Sequence, residues 1–234
     1  MTLTVTPLPG IPEVAKGDDL PALLLEAIRR AGLEPEPGDV LVVTHKVVSK
    51  AEGAVVQLEG EEEPAYRALA MREAVDIIRR RGDLIIARTK HGFICANAGV
   101  DRSNAAPGTA VLLPHDPDRS AHGIRMALAA ATGVDLAVVI SDTFGRPWRK
   151  GLVDVAIGLS GMDAILDLKG TIDANGRELH VTEIAVIDEI AAAADLVMGK
   201  ATAIPAALLR GLEFSPGEGR ARDLVRGAED DLFL

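Results

Sequence analysis

The sequence predicts an α/β fold of the mixed, α+β kind: a large mixed β-sheet core with flanking helices, arranged in one unit or two lobes. Three observations carry this. Apolar runs of strand length and β-branched content (VLVV at 40–43, LII at 84–86, AVVI at 137–140) recur along the chain, interleaved with segments of helical periodicity. Turn residues separate them at short intervals, with no internal repeat and no low-complexity linker. Finally, 234 residues, 48% of them apolar, suffice for one large core or two small ones.

From the N-terminus, the Pro- and Gly-dense PLPGIPEVAKGDDL forms a rigid loop, and its Asp18 and Asp19 suit the cap of a helix over LPALLLEAIRRAG. After the turn EPEPGD, VLVVTHKVV has the length and branching of a buried strand, so Thr44 to Lys50 lies at or near a strand end. Between Glu62 and Arg81, the spacing of Tyr66, Leu69, Ala70, Ala74, Ile77 and Ile78 predicts one or two amphipathic helices. DLIIART and GFICANAG predict two strands that turn at Lys90, His91 and Gly92. AVLLP is a further short strand, and SAHGIRMALAAATG a helix closed by Gly133. VDLAVVISDTFGR is the clearest strand, an unbroken apolar run that stops at Ser141 and Asp142, where polar groups are placed to reach a ligand. VDVAIGLSGMDAI has the composition of an Ala- and Gly-rich helix, DANG that of a hairpin turn. EIAVIDEIAAAADLVMG is strongly helical and AIPAALLRG a last strand. From Glu213 onward the chain is a polar tail, either packed on the domain or poorly ordered.

The net charge of -10 argues against nucleic-acid binding, because phosphate backbones require clustered Lys and Arg to displace counterions. An anionic small molecule would need local basic residues or a metal to offset the overall field. No stretch reaches the roughly 20 apolar residues that span a bilayer, and MTLTVTPLPG lacks the features of a signal peptide. A cytoplasmic protein without membrane contact is expected. Cys95, the single cysteine, is expected as a buried structural thiol rather than a nucleophile.

Two carboxylates stand at strand or loop ends beside small residues: Asp101 in NAGVDRSN and Asp142 in ISDTFGR. With the Thr143 hydroxyl they would suffice for Mg2+ or Mn2+, whose shell a phosphate-bearing substrate completes; the plainer roles are a turn cap for Asp142 and an Asx turn for Asp101. There is neither a G-x-x-x-x-G-K-S/T loop nor a G-x-G-x-x-G turn, so a nucleotide would bind through another architecture. Its candidate contacts are the loop from Ile11 to Val14, Lys50, and the loop from Gly199 to Ile204, each of which is equally at home as turn chemistry or surface charge. FGRPWRKG places Arg146, Arg149 and Lys150 around Trp148, which suits a flat anionic ligand or, alternatively, a core or subunit-interface anchor. The five histidines show no metal-ligand spacing, and no Ser-His-Asp constellation is assignable.

Six segments in collinear order, GIPEVAKGDDL, GDVLVVTHKVVSKAEG, NAGVDRSN, LLPHDPDRSA, VVISDTFGRPWRKG and VTEIAVIDEIAAAADLVMGKATAIPAALLRG, together resemble the coenzyme F420-0:L-glutamate ligase family. The resemblance implies a catalytic domain over 1–212 with a tail over 213–234. It implies GTP-dependent addition of L-glutamate to the lactyl-phosphate side chain of the deazaflavin coenzyme F420-0, with later glutamates gamma-linked. An acyl phosphate would be the intermediate. Carried over by motif, Ile11, Pro12, Glu13, Val14, His45, Lys46 and Lys50 lie along the GTP and Asn104 touches it. Met198, Gly199, Lys200, Ala201, Thr202, Ala203 and Ile204 form a loop closing over the nucleotide. Asp101, Asp142 and Thr143 hold Mg2+ or Mn2+, potassium is a further candidate ion, and Asp101, Asp142 and Lys50 are the catalytic groups. A homodimer is also implied. The family pattern carries an acidic residue after the Met-Gly of the closing loop; here Lys200 stands instead, offering a phosphate contact in place of a second-metal ligand. The length leaves no room for the nitroreductase-like flavin domain of some bacterial relatives, so chemistry without flavin is expected. A same-scaffold ligase for another amino acid or acceptor, and a non-catalytic nucleotide- or cofactor-binding module, are the alternatives.

Overall fold

Val40 to Val43 and Ala137 to Ile140 are buried on every consecutive residue, which a strand achieves only when both faces of its sheet are covered. The computed structural model describes residues 2–232, so the last two residues of the tail lie outside it. Among the described residues the elements run β1 (Thr4–Pro7), α1 (Leu20–Arg30), β2 (Val40–Thr44), α2 (His45–Glu52), β3 (Val55–Gln57), α3 (Glu62–Glu73), β4 (Ala74–Arg81), β5 (Leu84–Thr89) and β6 (Ile94–Ala96). They continue with β7 (Thr109–Val111), α4 (Pro117–Thr132), β8 (Ala137–Arg146), β9 (Arg149–Ser160), β10 (Leu166–Asp167), β11 (Glu183–Ile184), α5 (Val186–Met198) and β12 (Ala206–Arg210). The fold is mixed α/β, as the sequence predicts. None of these helices is long and apolar enough to cross a membrane.

The main sheet has five strands in the order β1-β12-β2-β8-β9. Only the β2–β8 pair is parallel, with Val40 opposite Ala137 and Thr44 opposite Ser141. Helix α5 packs across all five strands, while α4 packs on β8 and β9 and against α1. A bidentate pair from Arg210 to the buried Asp39, 2.8 Å on both contacts, ties β12 to the turn that launches β2. A second, smaller core of Leu58, Leu69, Ala70, Ile85, Ala87, Ala98, Val100 and Ala110 joins α3 to the β4-β5-β6 sheet and the β3-β7 pair.

Helices α1 and α4 form where their caps predict. Asp19 Oδ1 accepts from the Ala22 amide, Asp116 Oδ1 from the Arg119 amide, and Gly133 ends α4 in the left-handed region. Four segments depart from the sequence expectation. The strand expected over VLVVTHKVV ends at Thr44, and His45 to Glu52 is helical, ended by Gly53 at φ 78°. Ala74 to Arg81 is a strand, because pairing with β5 outweighs its weak helical periodicity. The expected helix after Gly151 is instead β9, where a Cβ on Gly158 would sit 2.5 Å from the Pro117 carbonyl; this glycine permits the close approach of α4. Finally, β8 does not stop at Ser141 and Asp142 but runs on to Arg146 as one arm of a long ribbon with β9. The tail packs on the domain, with Ala221 buried in the main core beside Phe214, Leu224 and Val225.

Strand β9 forms an edge of the main sheet, and two carboxylates close it. The Ala156 amide donates to Asp188 Oδ1 at 2.9 Å and the Leu159 amide to Asp118 Oδ1 at 2.8 Å. Burial, the largest influence, pushes both carboxyls above the usual carboxylate range, against the opposing pull of those amides. A folded-state value above the unfolded one means that the native protein holds the proton more firmly. Stability therefore falls as pH rises from the unfolded carboxylate value through the raised folded one, and the loss is complete above it. Asp188→Asn, which keeps an oxygen acceptor, is expected to unfold at pH 7.5 at a urea concentration no lower than the wild type. Asp188→Ala strands the Ala156 amide and is expected to lose about 1–3 kcal/mol. Urea midpoints of the three proteins check this, and an Asn variant weaker than the Ala variant would contradict it.

Candidate active site

Because β2 and β8 run parallel with Thr44 beside Ser141, the chain leaves β2 for α2 at the same level at which β8 turns polar. A cleft of about 320 Å³ opens there. The N-terminal loop gives it Ile11, Pro12, Glu13 and Val14; the β2–α2 junction gives Thr44, His45, Lys46, Val47 and Lys50. Ser141, Asp142, Thr143 and Asp154 come from the ribbon, Asn104 from the loop before β7, and Gly199, Lys200, Ala201, Ala203, Ile204 and Pro205 from the loop after α5. A larger cavity, about 540 Å³, lies between the start of α4 and the tail and holds none of the site residues that the resemblance implies.

Three of those residues stand apart from the lining. Met198 is buried in the main core at the end of α5, and the Thr202 hydroxyl donates back to its carbonyl. Asp101 is reached through Lys46, whose ammonium lies 2.7 Å from Asp101 Oδ2. The Ser103 amide and hydroxyl also donate to this carboxylate. Burial alone would raise the Asp101 carboxyl, but the Lys46 and Ser103 contacts outweigh it and hold the group below the usual range, ionised. Just upstream, Asn97 and Ala98 take φ values of 49° and 54°, a tight left-handed bend held by the bond from Asn97 Nδ2 to Tyr66 Oη.

On the ribbon, Asp142 Oδ1 accepts from the Thr143 amide at 2.7 Å, and Oδ2 has no protein partner among the described residues. His45 is 1% exposed and its Nε2 lies 3.2 Å from Asp142 Oδ1, yet this close pair lacks hydrogen-bond alignment and neither ring nitrogen is otherwise bonded. Asp154, absent from the sequence-based candidates, sits across the ribbon from Thr143. It is 2% exposed and accepts from the Ser141 and Thr143 hydroxyls, with the Lys200 ammonium 3.4 Å away. Only pairing register finds it; VDVAIG carries no spacing signal. Lys50 joins three segments, touching Glu13 and donating to the Asn104 carbonyl at 2.7 Å. Asn104 and Ala203 both hold φ at 55°, a strained setting for residues other than glycine. Among the described residues no three His, Cys, Asp or Glu are grouped to hold a metal by themselves. Trp148, at 78% exposure, is not a core anchor.

The family model described as F420-0:Gamma-glutamyl ligase matches residues 10–211. The chain belongs to the F420-0:gamma-glutamyl ligase family. Among relatives of this ligase family, the coenzyme F420:L-glutamate ligase of Methanopyrus kandleri is 45% identical, the match covering 99% of this chain and 98% of that protein. That of Methanothermobacter thermautotrophicus is 42% identical, covering 100% and 99%, and that of Archaeoglobus fulgidus 40%, covering 100% and 97%. Every residue lining the cleft falls inside the span matched by the gamma-glutamyl ligase model.

Cys95 is buried and does not line the cleft. Burial, reinforced by the charge of Asp142, pushes its thiol up to about 12, so a thiolate is scarce at neutral pH. The folded ligase-family chain at pH 7.5 is therefore expected to resist iodoacetamide for hours and to react within minutes in denaturant, as intact-mass measurement would show.

Proposed function

We propose that the chain is a GTP-dependent ligase that forms an amide between the carboxylate of coenzyme F420-0 and the amine of L-glutamate, by way of an acyl phosphate. The observation that most supports this is the meeting of two chemistries across one cleft. Asp142, Thr143 and Asp154 stand on the ribbon, and Lys46, Lys50 and Lys200 face them from α2 and the loop after α5. Relatives of 40–45% identity bear the corresponding name.

A carboxylate is a poor acyl donor because oxide is a prohibitive leaving group at neutral pH. Phosphorylation removes the obstacle. A carboxylate oxygen of the acceptor bonds to the γ-phosphorus as the bond to the bridging oxygen breaks, and GDP leaves with that electron pair. The glutamate amine then bonds to the acyl carbon, phosphate departs, and the amine sheds a proton. No protein nucleophile is needed. Lys50, poised between Glu13 and the Asn104 carbonyl, and Lys200 are positioned to meet phosphate oxygens. The oxygen donors at hand suit a hard cation: Oδ2 of Asp142 and the Thr143 hydroxyl on the ribbon and, beyond the lining and with Lys46 displaced, Asp101. Mg2+ and Mn2+ ask for one or two protein carboxylates when phosphate oxygens complete the shell, and such an ion supplies charge neutralisation of the triphosphate. The buried His45 lies beside Asp142, its Nε2 3.2 Å from Oδ1.

Asp142→Asn is expected to lower GDP release that depends on both acceptor and glutamate by about 100-fold or more. Lys50→Ala is expected to raise the KM for GTP by about tenfold or more, with the KM for glutamate unchanged. Undiminished release in Asp142→Asn would overturn the proposal. Mass spectra of products formed from GTP, Mn2+, coenzyme F420-0 and each of several amino acids in turn would show whether glutamate is the one joined.

A further inference from the structure

The β8–β9 ribbon does not end at the cleft. It continues past Thr143 and Asp154 to a hairpin tip, Pro147–Trp148, closed by the Arg146–Arg149 pair. Three properties mark the tip. Trp148 is 78% exposed and nearby Leu152 is 66% exposed. Trp148 also holds φ at 57°, in the second central position of a turn led by proline, where Gly or Asn is the usual occupant. A bulky aromatic in this left-handed setting opposes stability, and such outliers persist mainly where function needs them. Finally, Arg146, Arg149 and Lys150 flank Trp148 in sequence, in a chain of net charge -10. Arg146 is half-buried and donates to the Lys150 carbonyl at 2.9 Å, whereas Arg149 and Lys150 are exposed.

We propose that this hairpin tip is the binding site for the flat ring of the acceptor, with Trp148 as the stacking platform and Arg149 and Lys150 guiding the anionic side chain along the ribbon toward Asp142. The inference rests on the reading of the chain as a ligase that acts on a deazaflavin. Such an acceptor carries its aromatic ring at one end and its reacting carboxylate at the other, so it has to be gripped in two places. From Asp142 the strand runs four residues on to Arg146, roughly 13 Å at about 3.3 Å per residue, and Trp148 lies two residues further, in the turn. Both grips are therefore built on one stiff element, and the ring is read well away from the nucleotide. Indole offers a large rigid face to a planar partner, and paired cations raise the local concentration of an anion. Selectivity against carboxylates without a ring follows from the distance between the two grips.

The tip is tested by a kinetic split. In the assay of GDP release, Trp148→Ala is expected to raise the KM for coenzyme F420-0 by about ten- to hundredfold, the range that loss of one aromatic platform imposes on a stacked base. Trp148→Phe is expected to restore most of it, with the KM for GTP and glutamate unchanged and sedimentation identical in all three proteins. Trp148 is the only tryptophan, so its fluorescence reports the same contact. Coenzyme F420-0 should quench it without GTP or glutamate, and lactyl phosphate lacking the ring should not. An unaltered acceptor KM in Trp148→Ala, or a changed sedimentation with that KM intact, overturns the assignment and leaves wild-type ligase activity standing. Should the wild type release no GDP with this acceptor, the proposed function falls instead, and the tip is then decided by quenching alone: its absence rejects the platform.

Discussion

The parallel pairing of β2 with β8 is the constraint on which the cleft depends. Register places Thr44 beside Ser141, so the start of α2 and the first polar residues of β8 reach the same level of the sheet. A slip of one residue would turn every side chain of a strand to the opposite face and would take Thr44 off the level of Ser141. From that fixed point α2 carries Lys46 and Lys50 on one face, four residues apart. Both reach outward to bind other segments, Lys46 to Asp101 and Lys50 to Glu13 and Asn104. The cleft is thus assembled by lysines that bridge parts of the chain distant in sequence.

The opposite wall depends on the antiparallel β8–β9 pair. Register alone brings Asp154 across from Thr143, and two hydroxyls keep its buried carboxylate satisfied. Lys200 then has a physical reason to be basic. An acidic side chain at that position would repel the buried Asp154, whereas the half-exposed lysine supplies the opposite charge at 3.4 Å. Compensation here comes from within the protein.

Much of the fold is legible in the sequence because local chemistry decides it. Asp19 and Gly133 mark helix ends by capping, and the apolar runs of β2 and β8 admit no exposed face. The failures share a cause: tertiary pairing overrides composition. Val47 and Val48 look like strand yet sit on α2, because the chain must turn at Thr44 to leave the sheet. Ala156 to Gly158 looks helical yet pairs with β8, since its small residues serve the approach of α4. In the cleft, short motifs mark Asp142, Lys50 and the loop after α5, while Asp154 and the indirect placement of Asp101 behind Lys46 emerge only from contacts between remote segments.

One oxygen of Asp118 accepts both the Leu159 amide of the outer strand and the Ala221 amide of the tail, at 2.8 Å and 3.0 Å. The sheet boundary and the C-terminal segment are thereby fastened to the same atom. As the chain emerges from the ribosome, β9 is made before the segment around Ala221 that shares its anchor, so this stretch is a template for strand addition until that segment has docked. The segment around Ala221 thus acts as a guard against cross-β association of the nascent protein.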